Sequence, residues 1–309
     1  MTDILPASSL HNPVMLTQVL TLLVPRPGMA IFDGTIGLGG HAATLLASIT
    51  PDGVLYGADR DADSLALAEA HLRLVGGNFV LFHDTYDRAL QRPDLPGLDG
   101  ILLDLGLSSW QLACTERGFS FARSGPLDMR MDPTSGLSAQ EIVNTWSEDA
   151  LTQLFARHGE EPNARKVARA IIPRRPIYTT GELAAIASQY AARNPSGAHR
   201  ATRIFQAVRI AVNDELGCLS RGLPAAVAKL KPEGRLAVIS FHSLEDRIVK
   251  RFIRSEAKGC ICPSRVPICI CGQQPRLRDL SSKPLVPGAE EVHFNPRSRS
   301  AKLRGAQRI

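Results

Sequence analysis

Cysteine, long apolar runs and repeats are all scarce in this chain, and each shortage excludes something. Six cysteines in 309 residues are too few for a disulfide scaffold, so a reduced, cytoplasmic setting is expected. The stretch from Ile4 to Pro25 lacks acidic and basic residues, but Ser8, Ser9, His11, Asn12 and Gln18 interrupt it, with Pro6 and Pro13. A spanning helix needs roughly 20 mainly apolar residues, so no membrane association is expected. The opening MTDILP has an acid and no basic cluster, which speaks against a secretory signal. No internal repeat or low-complexity run is visible. What is present is ordinary for a globular protein: 44% hydrophobic and 21% charged residues. The 25 glycines and 21 prolines, about 15% together, exclude a collagen-like or wholly disordered chain. A net charge of +6 permits a polyanionic partner without requiring one.

The first hundred residues alternate between two periodicities. Met29–Phe32, Val54–Ala58, Phe79–Phe82 and Gly100–Leu105 read as buried strands, with helices over Ala42–Ile49 and Asp61–Leu74. Strands separated by helices of this length predict βαβ units and a parallel sheet. From Trp110 to about Ala211 only helix patterns follow: Ser138–Trp146, Asp149–Arg157, Asn163–Ile172 and Thr180–Ala191. A long helix over Thr202–Lys229, with its break expected at Gly222 and Pro224, leads into a fifth strand at Arg235–Ser240. Another helix is expected over Asp246–Lys258, and a closing hairpin in the tail Glu291–Ile309. The expectation is an α/β fold interrupted after strand four by an all-helical insertion. Residues 1–112 and 212–309 would form the catalytic domain, and 113–211 the insertion.

Asp33–His41, DGTIGLGGH, follows the first strand and opens a helix. Glycines there let the backbone turn sharply and approach a ligand. Gly37, Gly39 and Ala42 also fit a dinucleotide fingerprint, so a nicotinamide cofactor competes on this segment alone. Two features favour a sulfonium methyl donor instead. Residues 27–58 contain no Lys or Arg to meet a pyrophosphate, and Asp33 beside the glycines suits a cation. Asp59, ending the second strand, offers a carboxylate to both ribose hydroxyls. Asp104, ending the fourth, completes the order expected of a class I (Rossmann-like) methyltransferase.

HNPVM at 11–15, DGTIGLGGH at 33–41, ADRD at 58–61, GILLDLGLSSWQL at 100–112 and ERGFSF at 116–121 recur with GPLDMRMDP at 125–133. ATRIFQAVRIAVNDEL at 201–216 and ISFHSLEDRIVKRF at 239–252 follow. Together and in this order they resemble the bacterial ribosomal RNA small-subunit methyltransferase H family, also called the MraW family. GPLDMRMDP and SFHSLEDRIVK carry most of the specificity. One departure is Trp110, where a Pro or another small residue is expected. The resemblance implies S-adenosylmethionine-dependent N4-methylation of a cytidine in the decoding region of 16S ribosomal RNA. Its partner would be that RNA or the small ribosomal subunit, and a homodimer is allowed for. It also implies cofactor contacts at Gly39, Gly40, His41, Asp59, Tyr86, Asp104 and Gln111, in addition to Asp33.

Cytosine N4 is a poor nucleophile because its lone pair is delocalised. The site must hold it near the methyl carbon and offer an acceptor for its N–H groups. Asp104, Asp128 and His242 are the catalytic candidates. For Asp128 a structural pair with Arg130 competes, and for His242 a structural role. Glu245 and Asp246 read as caps of the following helix. The strand-four segment DLGLSS lacks an aromatic residue to stack on the base, leaving Phe119, Phe121 and Trp110 as candidates. For the RNA, basic residues gather in the insertion (Arg165, Lys166, Arg169, Arg174, Arg175, then Arg193, Arg200, Arg203 and Arg209). More lie in the tail (Arg297, Arg299, Lys302, Arg304, Arg308). If Arg165 and Arg169 serve only as a solvated face, Glu160 and Glu161 are their expected partners. Cys260, Cys262, Cys269 and Cys271 form C-x-C-x6-C-x-C, tighter than the usual zinc spacing, so no metal is expected. The competing function is an RNA-binding assembly protein with a vestigial cofactor pocket.

Overall fold

A computed structural model describes residues 13–194, 197–258, 262, 268 and 271–309. The chain forms two compact units. One takes in the chain up to Gly106 and from Gly217 onward; the other is Leu107–Leu216. Sequence patterning had set these joints at 112/113 and 211/212.

The first unit contains α1 (Leu16–Leu23), β1 (Ala30–Asp33), α2 (Gly40–Ile49), β2 (Val54–Asp59), α3 (Ala62–Val75) and β3 (Asn78–His83). The short α4 (Tyr86–Ala89) and β4 (Leu98–Asp104) follow. The helical unit holds α5 (Ser109–Ala113), α6 (Ala139–Thr145), α7 (Glu148–Gly159), α8 (Ala164–Ile171), α9 (Thr180–Tyr190) and α10 (Thr202–Asn213). After α11 (Glu215–Lys229), the chain continues through β5 (Leu230–Ser240), α12 (Ser243–Lys258), β6 (Leu277–Asp279), α13 (Ala289–Phe294) and β7 (Lys302–Arg308).

The seven strands lie in the order β3-β2-β1-β4-β5-β7-β6. β1 pairs in parallel with both β2 and β4, so the strand order reverses between β1 and β4. Open sheets of this kind bind ligands at that reversal, beyond the carboxyl ends of the strands. Asp33, Asp59 and Asp104 are the last residues of β1, β2 and β4. The central strands are buried on both faces, which is why they read as apolar runs rather than as alternation. Phe32, Ile101 and Leu103 pack with Leu219, Leu223 and Val227 of α11 on one face. Ile31, Leu55 and Leu102 pack with α1 and α2 on the other.

Two expectations need correction. The helix from Thr202 to Lys229 breaks at Asp214, whose φ is 47°, and not at Gly222 or Pro224, both of which lie inside α11. The tail is not a hairpin: Ala289–Phe294 is helical and only Lys302–Arg308 forms a strand, antiparallel to β5 and β6. The helical unit encloses its own apolar core, including Phe119, Leu151, Phe155, Val167, Leu183, Ile204 and Val208. Strong local signals start its helices, since Ser138 with Glu141 and Thr179 with Glu182 form capping boxes.

Candidate active site

The turn after β1 is held by backbone hydrogen bonds to its two neighbouring strands. Gly34 N donates to Leu102 O at 2.9 Å and Ile36 N to Ala58 O at 3.1 Å. A Cβ on Gly34 would stand 2.6 Å from Leu103 Cδ2 and 2.8 Å from Tyr86 Cβ, so only glycine fits. Gly39, the N-cap of α2, has φ 81°, in the left-handed region that glycine enters without strain. Thr35, which sequence reasoning missed, links the two strand ends: Asp104 N donates to its Oγ1 at 2.7 Å. Its position directly after an Asp-Gly turn is the only local signal for that role.

Three carboxyl groups and one imidazole gather at this edge. Asp33 is buried, and Thr35 N donates to its Oδ1 at 3.1 Å. Burial pushes its pKa up to about 7, with the His41 imidazole opposing. Asp59 receives Gly37 N on Oδ2 and Asp61 N on Oδ1, both at 2.9 Å. Burial nevertheless raises it to about 6. Each carboxylate oxygen has two lone pairs, so these backbone bonds leave room for ribose hydroxyls. His41 Nε2 lies 3.5 Å from Asp104 Oδ2. Burial works against the imidazolium, but the Asp104 and Asp33 carboxylates outweigh it, and the pKa of His41 is raised.

These groups fit a cationic, hydroxyl-bearing ligand. Asp104 Oδ1, for one, is buried without a hydrogen-bond partner. Such orphaned polar atoms carry a desolvation penalty unless a ligand meets them. Tyr86, at the start of α4, is buried beside the turn. Behind it, Gly222 of α11 comes so close that a Cβ there would stand 2.5 Å from Tyr86 Cε2. Arg221 Nε donates to Asp87 Oδ2 at 2.7 Å, and Arg60 Nη2 to Cys218 Sγ at 2.9 Å.

The remaining candidates differ in their surroundings. His242, just beyond β5, accepts Glu245 N on Nδ1 at 3.4 Å and holds Nε2 3.3 Å from Glu245 Oε1. Glu245 accepts Phe241 N at 2.8 Å and His242 N at 3.3 Å, so it does cap α12. Asp246 does not: it pairs with Arg304 at 2.7 Å and Lys302 at 3.4 Å. In the helical unit, Gln111 is buried and accepts Ser108 N at 3.0 Å in a capping box. Asp128 is gripped by Arg130, with Nη2 2.7 Å from Oδ2. Burial pushes its pKa upward, but the Arg130 bonds prevail and hold it below the ordinary carboxylate range. Phe119 is buried in the helical core, and Phe121 packs 4.8 Å from the Phe205 ring.

The basic residues divide in the same way. Arg165 and Arg169 are exposed and face Asp149 at 3.5 Å and Glu148 at 3.4 Å, not Glu160 and Glu161. Glu161 is buried and instead accepts Asn163 N and Ala192 N. Arg175 donates to the carbonyls of Val143 and Trp146, and Arg209 pairs with Glu215 at 2.8 Å. Their first duty is structural. Cys260 and Cys269 lie outside the described residues, so the cysteine cluster stands as it did in the sequence, as do His11 and Asn12.

A seven-stranded sheet of this order, with carboxylates ending β1, β2 and β4 around a glycine turn, defines a Rossmann-like methyltransferase. The MraW methylase family model matches residues 8–309, and the chain belongs to that family. S-adenosylmethionine is therefore its methyl donor. The chain is 50% identical to the ribosomal RNA small subunit methyltransferase H of Thermomicrobium roseum over 98% of its length and 95% of that protein's. It is 46% identical to the protein of the same name from Heliobacterium modesticaldum, over 97% and 98%. A solved rRNA methylase from Streptococcus thermophilus aligns over 96% of this chain and 98% of its own, at 10% identity and a TM-score of 0.44.

Proposed function

We propose that this chain methylates N4 of a cytidine in the decoding region of 16S ribosomal RNA. The convergence of Asp33, Asp59, Asp104 and His41 on one glycine turn, with Tyr86 beside it, carries this reading. The names of the relatives point to small-subunit ribosomal RNA, and the resemblance in GPLDMRMDP and SFHSLEDRIVK points to cytosine N4. The cofactor supplies a methyl group bound to a cationic sulfur. Asp59 would receive its ribose hydroxyls, Tyr86 would meet its adenine, and Asp33 would balance its positive end. The backbone at Gly39, Gly40 and His41 would form the floor of that site.

In the transfer, the N4 lone pair forms the new bond to the methyl carbon as the carbon–sulfur bond breaks and its electrons return to sulfur. The proton lost from N4 passes to an acceptor. Asp104 is proposed for that place, because it ends β4 at the ligand edge with one oxygen unpartnered. Asp128 and His242 are proposed as positioning residues, since Arg130 and Glu245 occupy them. The helical unit is proposed as an RNA-facing element through exposed Lys166 and Arg193. RNA is read at unstacked bases, so the target cytidine must be looped or flipped out.

The test incubates the full chain with small ribosomal subunits from a strain lacking this gene and with S-adenosylmethionine, followed by nucleoside mass spectrometry. N4-methylcytidine should appear with the wild type and be lost with Asp104→Ala. Methylation of another atom would overturn the N4 assignment. Tight RNA binding without any transfer would favour the assembly-protein reading.

A further inference from the structure

The segment entering β7 has no role in the site described above, yet it sits at the same edge of the sheet. β7 runs antiparallel to β5, with Lys302 opposite Ser240, the last residue of β5. Residues just before Lys302 therefore lie at the carboxyl ends of the parallel strands, where Asp33, Asp59 and Asp104 are. Side-chain contacts agree. Met15 N donates to Glu291 Oε1 of α13 at 2.6 Å, and the carbonyl of neighbouring Val14 lies against the His41 imidazole.

The segment is built to present two cations. Asn295 O accepts Ser298 N at 2.9 Å and Ser298 Oγ at 2.8 Å, and Ser298 and Ala301 are fully buried. Arg297 and Arg299 flank that inward serine, and both are exposed. Among the described residues neither has an ion pair, whereas Lys302 and Arg304 hold Asp246 and Arg308 donates to Val227 O. From Val292 to Ile309 the sequence has no acid. Phe294, one turn earlier, is 72% exposed, with the His293 ring 5.1 Å from its own. Exposed arginines without counter-charges beside an exposed aromatic ring match single-stranded nucleic acid, which offers phosphates and base faces together.

We propose that Phe294, Arg297 and Arg299 form a docking surface for the single-stranded RNA flanking the target base, with the arginines on phosphates and the phenyl ring against an unstacked base. The proposal rests on the RNA methyltransferase reading and gives its catalytic unit an RNA contact of its own. It also splits the basic tail into two residues that face the RNA and three that hold the fold.

The experiment uses the full chain, an unstructured oligoribonucleotide and small-subunit RNA over a range of salt concentrations. In R297A/R299A the slope of log affinity against log salt should fall by about 1.4, at about 0.7 per single-strand phosphate. R297K/R299K should keep the slope. F294A should weaken binding about tenfold with the slope unchanged, as expected for one lost stacking contact. In all three, Tm and S-adenosylmethionine affinity should match the wild type, while KM for RNA rises in R297A/R299A and F294A. A wild-type slope and KM in R297A/R299A would overturn the surface. Failure of the wild type to methylate small-subunit RNA would instead strike the underlying function, which the oligoribonucleotide slopes do not depend on.

Discussion

The affinity for S-adenosylmethionine should rise steeply with pH through the neutral range. Asp33 is buried and Asp59 half-buried, and their pKa values stand at about 7 and about 6. In the proposed site a cationic sulfonium opposite Asp33 and two donating hydroxyls on Asp59 would both select the ionised forms, so binding would draw protons off the site. Each pH unit below a pKa reduces the ionised fraction about tenfold. With those two values, affinity at pH 6 should be on the order of 20-fold weaker than at pH 8. His41 works in the same direction, because its raised pKa keeps a competing cation beside the site at low pH. Calorimetry at pH 6.5 in two buffers of different ionisation enthalpy should show release of about one proton per ligand from the two carboxyls. Stability follows with a definite sign. A carboxyl with a raised folded-state pKa contributes stability below its ordinary value near 4 and loses it as pH rises towards 7. The ligand-free protein should lose stability over that range on account of these groups, and the rise in Tm on adding cofactor should grow with pH. Asp33→Asn should flatten the upper part of the affinity curve. A wild-type affinity that does not change between pH 5.5 and 8 would refute the assignment of these carboxyls to the cofactor.

Three further outcomes are expected. Asp59→Ala should weaken S-adenosylmethionine binding at least tenfold by calorimetry, since charge-assisted hydrogen bonds contribute about 1.5–3 kcal/mol each and Gly37 N and Asp61 N lose their acceptor. Gly222→Ala should place a Cβ 2.5 Å from the Tyr86 ring; overpacking of this kind costs about 1–3 kcal/mol, read as a lower Tm and a higher KM for S-adenosylmethionine with kcat retained. Arg165→Ala with Arg169→Ala should alter stability by only about 0–1 kcal/mol, because both pairs are exposed. Its RNA salt slope should fall less than that of R297A/R299A, since Asp149 and Glu148 already balance these charges.

The candidate site is legible in the sequence because it is built from residues close together in the chain and from strand ends, which hydrophobic runs mark directly. Asp33, Asp59 and Asp104 stand where apolar runs stop, and a parallel sheet brings those stops to one edge without further information. Charge was far less legible. Arg175, Arg209, Arg304 and Arg308 look in sequence like the exposed arginines they accompany. Only the fold shows that Arg175 and Arg308 bind backbone carbonyls, that Arg209 pairs with Glu215 and that Arg304 pairs with Asp246. A long side chain reaches partners that no local pattern reports. Gly222 carries the sharpest contrast. By propensity a glycine followed by Pro224 reads as a helix break, and the break falls instead at Asp214, which adopts a left-handed conformation. Yet the glycine is not idle. It remains inside α11 because the helix must pass closer to Tyr86 than any Cβ allows. Propensity registers the absence of a side chain as local freedom, while in this fold that absence admits an aromatic ring from a segment more than a hundred residues earlier.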